Sequence, residues 1–163
     1  MVARVVERDG DGGMTTVAVE VEIDATPEQV WTVVSDPRNL PHWDKHIVDV
    51  LDVPAGGLAR GTRYTTVMKF MAVRARVAAE VLEWDPPHLS SIRLTGVVDA
   101  TVTTTVQAIG DRRSRLRHEV DYRFRGGPLG KVAARSMALV GGAQFALRHG
   151  ALAQKREIEA AVA

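Results

Sequence analysis

A chain of 163 residues, 45% of them hydrophobic, is long enough to bury a substantial core within one domain. Its 21 Lys and Arg against 20 Asp and Glu leave a net charge of +1, which offers no overall field to draw in nucleic acid or an anionic membrane. The absence of cysteine excludes disulfides, thiolate metal sites and a cysteine nucleophile, and it agrees with a cytoplasmic location.

Residues 1–13 end in turn chemistry, Arg8-Asp9-Gly10-Asp11-Gly12-Gly13, and lack the apolar core of a secretory signal. They are expected to be a flexible extension, with residues 14–163 as the single folded domain. Val17, Val19, Val21 and Ile23 alternate with Ala18, Glu20 and Glu22, the period of a half-buried strand. Thr26, Pro27 and Gln29 then combine an N-cap, a proline at the first helical position and a capping-box glutamine. The helix they start should bury Val30, Trp31 and Val34 and end by Asp36, because Pro37 disfavours helical geometry in the residue before it. An irregular segment through Trp43 and a strand from about His46 to Val53 follow.

From Gly61 to Arg125 the chain is extended and alternating, with turns at Asp85-Pro86-Pro87 and around Gly110. Tyr64, Thr66, Met68 and Phe70 share one face; so do Val73, Ala75, Val77, Ala79 and Val81, then Ser90, Ile92 and Leu94, then Ala100, Val102, Thr104, Val106 and Ala108. In the last strand Leu116, His118, Val120, Tyr122 and Phe124 face inward while Arg115, Arg117, Glu119, Asp121 and Arg123 face water. Antiparallel pairing sets His118 opposite Val106 or Thr104, depending on the loop or bulge at Gly110. Gly127-Pro128 opens a long C-terminal helix with an inner stripe of Val132, Ser136, Val140, Gln144, Leu147, Ala151 and Ile158, bent or interrupted at Gly141-Gly142. The order predicts an α+β fold, a curved antiparallel sheet of about seven strands around one long helix.

The facing side chains are small: Ala75, Ala79, Ala100, Thr104 and Ala108 on the strands, Gly141, Gly142 and Ala143 on the helix. Interiors pack near crystal density, so a sheet and helix lined this way either touch closely or enclose a cavity, and strong curvature of the sheet favours the cavity. On its walls His118, Tyr122 and Thr104 are the candidates for acid–base chemistry on a carbonyl or phenol, although His118 reads more readily as a histidine satisfied by a neighbouring hydroxyl or water. Tyr64, Thr66, Thr104, Tyr122 and Gln144 are candidates to orient a ligand's polar atoms. Trp43, Met68, Phe70, Val102, Val120, Phe124, Met137, Val140 and Phe145 would supply apolar wall.

Other chemistries fit poorly. His42, Asp44 and His46 recur every second residue without a further ligand at diagnostic spacing, so no metal is expected and no cofactor is called for. Arg125 to Val132 lacks the first glycine and the Ser/Thr of a phosphate loop, and no serine has a nucleophile-elbow context. The Arg112, Arg113, Arg115 and Arg117 cluster lacks aromatics to stack bases and reads as a solvated sheet face.

The stretch Val21-Glu22-Ile23-Asp24-Ala25-Thr26-Pro27-Glu28-Gln29-Val30-Trp31, continuing through Asp36 to Trp43, resembles the N-terminal signature of the polyketide cyclase/dehydrase and START-like (SRPBCC) superfamily, which includes the pollen-allergen proteins. Glu83-Trp84-Asp85-Pro86-Pro87-His88-Leu89 resembles a later landmark of the same superfamily. The resemblance spans roughly residues 15–160. It implies a helix-grip fold that holds a hydrophobic small molecule, polyketide-like or polycyclic, with the protein as carrier, sequestering or accessory factor of specialised metabolism. Two other roles in the superfamily stay open: an aromatase or cyclase using His118, Tyr122 or Thr104, and a self-sacrifice enediyne-resistance protein cleaved at a glycine such as Gly96, Gly126 or Gly141. The partner is then a hydrophobic small molecule, with no nucleic acid and no membrane span.

Overall fold

The computed structural model describes residues 3–10, 13–139 and 141–163. Eight strands form one antiparallel sheet: β1 (Arg4–Asp9), β2 (Thr15–Ile23), β3 (Ile47–Leu51), β4 (Arg63–Phe70), β5 (Val73–Asp85), β6 (Leu89–Thr95), β7 (Val98–Gly110) and β8 (Arg113–Phe124). Their order in space is β1-β2-β8-β7-β6-β5-β4-β3. The helices are α1 (Pro27–Val34), α2 (Leu40–Trp43), α3 (Pro128–Leu139) and α4 (Gly142–Val162), with a 3-10 turn at Pro37–Asn39.

The strand count exceeds the expectation because part of the stretch read as a flexible extension is β1, paired along its length with β2 from Arg4↔Glu20 to Asp9↔Thr15. Arg4, Glu7, Arg8 and Asp9 disguise its alternation. Charge of this kind suits an edge strand, where it deters pairing with another chain. Irregular registers between Ile47 and Asp49, Val81 and Glu83, and Ala108 and Gly110 add the twist that lets the sheet curl.

Local chemistry fixes α1 as expected: the Thr26 amide donates to Gln29 Oε1 at 2.9 Å, and the Gln29 amide donates to Thr26 Oγ1 at 3.4 Å. Trp31 is buried from this helix and meets Trp84 edge to face at 5.2 Å. The C-terminal helix is interrupted where two glycines adopt positive φ, 97° at Gly141 and 82° at Gly142, a conformation that costs other residues about 1–2 kcal/mol each. Apolar clusters form on both sides of the interior. One joins β2, β8, α1 and α4 through Val21, Ile23, Leu116 and Ile158; the other joins β4, β5, β7 and α3 through Phe70, Val77, Ala100 and Ala133.

Gly130 anchors α3. A Cβ there would collide with the Arg125 carbonyl oxygen and stand 2.6 Å from its carbon, and backbone cannot yield as a side-chain tip does. Gly130→Ala is expected to cost about 3 kcal/mol and to lower the melting temperature by roughly 6–12 °C in calorimetry. The same change at Gly56, where nothing stands within 4 Å, should be near neutral.

Candidate functional site

Between the clusters lies a cavity of about 260 Å³. Its walls come from β4, β6, β7 and β8, its ends from the α1–α2 segment, and its cover from Met137, Ala143, Ala146, Gly150 and Ala151 on α3 and α4. The small residues that make room are chiefly Ala143, Ala146, Gly150 and Ala151 on α4, with Ala100 and Thr104 on β7. Ala75 and Ala79 are buried among neighbours instead of lining the space, and Ala108 is exposed near the end of its strand.

The sequence candidates Trp43, Tyr64, Thr66, Met68, Phe70, Val102, Thr104, His118, Val120, Tyr122, Phe124 and Met137 all line the cavity. Val140 lies outside the described residues, and Phe145 does not line the cavity but stands exposed on α4. Gln144 does not reach the cavity: it is exposed, and its amide donates to Glu7 on β1. The face of α4 that covers the cavity runs through Ala143, Leu147, Gly150, Ala151 and Gln154, and a residue one step from Ala143 is turned about 100° away from that line. The glutamine that matters is Gln154, which continues the 147, 151, 158 series and was findable by helical spacing.

Gln154 completes a buried polar chain. The register places Thr104 beside His118 on β8 and opposite Ser90 on β6, so three polar side chains cross the sheet as one row facing the cavity. His118 Nε2 is 2.7 Å from Gln154 Oε1, and Nδ1 is 2.9 Å from Thr104 Oγ1. An amide oxygen only accepts, so the imidazole proton sits on Nε2 and the Thr104 hydroxyl donates to Nδ1. Burial holds the His118 pKa below its ordinary 6.5, the Gln154 contact opposing this. The imidazole is therefore neutral near pH 7, with both nitrogens occupied.

This gives a pH dependence with a definite sign. The unfolded chain binds a proton at His118 as pH falls through about 6.5, whereas the native state resists it. The contribution is complete above that value and is lost as pH drops through the lower native pKa, with a slope of up to about 1.4 kcal/mol per pH unit. Urea denaturation at stepped pH should show stability falling below neutrality, before the region where Asp36, Glu80, Asp99 and Glu159, all lowered by ion pairs or hydrogen bonds, begin to protonate.

The remaining polar groups are also individually held. Thr66 donates to the Val77 carbonyl at 3.2 Å, and the Trp43 indole donates to Glu157 at 2.7 Å, tying α2 to α4. Burial alone pushes the Tyr64 phenol up to about 12. The Tyr122 phenol is raised first by burial and then by the charges of Glu7 and Asp9, and its ring meets Phe124 edge to face at 5.8 Å. Neither phenol is a ready source of phenolate. The His42, Asp44, His46 triplet diverges: His46 is buried against Asp44 at 3.1 Å, while His42 is exposed and 3.8 Å from Glu157. Of the glycines weighed as cleavage points, Gly96 packs on the Arg76 backbone, Gly126 is exposed and Gly141 abuts Phe145; none lines the cavity.

A curved antiparallel sheet closed by a C-terminal helix over an apolar chamber defines the helix-grip, START-like class. Residues 14–157 match the family described as polyketide cyclase/dehydrase and lipid transport, and the chain belongs to that family. An uncharacterised protein of Mycobacterium tuberculosis is 30% identical over 129 residues, which is 76% of this chain and 89% of that relative. Among solved structures, the Zhui aromatase/cyclase of a Streptomyces species superposes with a TM-score of 0.73 at 16% identity, covering 92% of this chain and 96% of that one. A START superfamily protein from Mycobacterium smegmatis gives a TM-score of 0.64 at 18% identity over 90% and 98% of the two chains. At these identities the likeness establishes the fold.

Proposed function

We propose that this protein binds an uncharged, largely apolar molecule of polyketide-like type in its internal cavity, and serves as a carrier or sequestering factor in the cytoplasm. The observation that carries the reading is the neutral, doubly bonded His118: this buried imidazole on the wall has no free acceptor nitrogen, so the row Ser90, Thr104, His118 and Gln154 suits recognition of a ligand oxygen better than proton abstraction. Among the described residues no Lys or Arg lines the cavity, which argues against a carboxylate or phosphate ligand. An apolar cavity of ~150 Å³ accepts one benzene ring, so about 260 Å³ suits a molecule of roughly two fused rings. That is smaller than an extended polycycle.

Trp43 and Trp84 both line the space and report on its occupant. Titration with a neutral naphthol should quench tryptophan fluorescence saturably, and native mass spectrometry of the purified protein should show a bound neutral species. No quenching by any neutral bicyclic compound, together with a bare protein mass, would sink the proposal.

The aromatase or cyclase reading keeps one point in its favour: Thr104 retains lone pairs toward the cavity and is bonded to an imidazole that could take up a proton if the Thr104 contact opened. His118→Ala and Tyr122→Phe separate the two. A cyclase would lose turnover of a poly-ketone with either change, whereas a carrier keeps binding within about tenfold.

A further inference from the structure

The net charge of +1 conceals an uneven distribution. From Tyr122 to Arg156 the chain contains no Asp or Glu, although it carries basic residues throughout. Arg123 and Arg125 are spent on Asp99, and Lys155 on Glu159. Lys131, Arg135 and Arg148 are exposed and form no ion pair among the described residues. Glu7 of β1 reaches this region only through a hydrogen bond that it accepts from the Gln144 amide, and it pairs with none of the three cations. The sum over the whole chain, which argued against anionic surfaces, therefore does not describe this region.

The same region carries large exposed apolar side chains. Leu139 is 69% exposed and Phe145 52%, one on each side of the Gly141–Gly142 break. Spacings of four place Lys131, Arg135 and Leu139 along the outer face of α3, and a spacing of three places Phe145 and Arg148 together on α4. On the inner side of this break Met137, Ala143 and Ala146 cover the cavity. Apolar tips flanked by cations, with no exposed acid in the stretch, are what a helix needs to lie in the interface of an anionic bilayer. No helix among the described residues is long and apolar enough to cross one, so the contact would be peripheral.

We infer that the α3–α4 junction docks on an anionic membrane surface, with Leu139 and Phe145 entering the headgroup boundary and Lys131, Arg135 and Arg148 against the lipid charges. Docking would bring the cavity's helical cover to the place where a hydrophobic ligand is most concentrated. An acidic protein partner would use the cations equally, but two large apolar side chains held out beside a helix break suit a fluid layer, which needs no matching pocket. The inference stands whatever molecule fills the cavity.

The test is sedimentation of the full chain with vesicles of phosphatidylcholine alone or with roughly a third phosphatidylglycerol, at physiological salt. Binding to the anionic vesicles should exceed that to neutral ones by more than about tenfold and weaken as salt rises. Lys131→Glu/Arg135→Glu/Arg148→Glu should reduce it by about a hundredfold, and the corresponding Gln triple supplies the answer if the Glu triple misfolds by circular dichroism. Leu139→Ser/Phe145→Ser should reduce it by about tenfold. Arg60→Glu/Arg76→Glu/Arg112→Glu, equal in charge change but elsewhere, should leave it unchanged. Absence of binding to either vesicle, or equal loss in both charge triples, would overturn the inference. So would an unaffected Leu139/Phe145 variant together with tight binding of soluble poly-glutamate, which would mark a protein-docking surface instead.

Discussion

Filling the cavity should abolish ligand binding while leaving the fold intact or firmer. Ala100 on β7 and Ala146 on α4 both line the space, from opposite sides, and each has room in front of it. Ala100→Leu/Ala146→Leu would place two branched side chains where a ligand ring must sit, and a ligand forced against them meets overpacking costs of about 1–3 kcal/mol at each position. Affinity, read from tryptophan quenching, should fall by about a hundredfold or more. Stability to urea should hold or rise by about 0.5–2 kcal/mol, since filling a void recovers contacts that its lining lacks. Ala78→Leu, on the exposed face of β5, is the control and should alter neither. Retained affinity in the double variant would put the ligand elsewhere; a large loss of stability would mean that the interior has no room to fill.

Strand alternation carried most of the architecture, because a period of two is unambiguous wherever one face meets a core and the other meets water. The inward sets on β4, β7 and β8 could be read directly, and the two registers open to His118 reduced to Thr104 once the irregularity between Ala108 and Gly110 was seen. β1 escaped because an edge strand owes its pairing to a neighbour and not to its own pattern: Val5 pairs with Val19 and turns toward the core, but the charges around it hide the period. Gln144 and Gln154 show a second limit. Both fit a helical stripe, and the break at Gly141–Gly142 resets the helix so that only the later one faces His118. The cavity itself was legible as an excess of small residues, yet which of them border it depends on larger neighbours. Met68 and Tyr64, the cross-strand partners of Ala75 and Ala79 on β4, line the wall, and the two alanines that had promised open space do not.

The polar row gives the second large effect, and it separates a structural histidine from a catalytic one. His118→Leu removes the partner of Gln154 Oε1 and of the Thr104 hydroxyl at once, leaving two buried polar groups unmatched at a cost of about 3–4 kcal/mol. Gln154→Leu strands the His118 Nε2–H and should cost about 2 kcal/mol. In His118→Leu/Gln154→Leu both ends of the shortest bond are gone, so the double change should cost less than the two single ones together, by about 1–3 kcal/mol in a urea-denaturation cycle. The double variant should also lose the decline in stability below neutral pH, because no imidazole remains to resist protonation. Ligands supply the other arm. A carrier that uses this row to recognise an oxygen should lose about tenfold in affinity for a naphthol and almost nothing for naphthalene, since only the hydroxyl has lost its partner. Equal losses for both would show that His118 and Gln154 merely hold α4 against β8, and that ligand polarity is read elsewhere on the wall, with the Tyr64 phenol next in line.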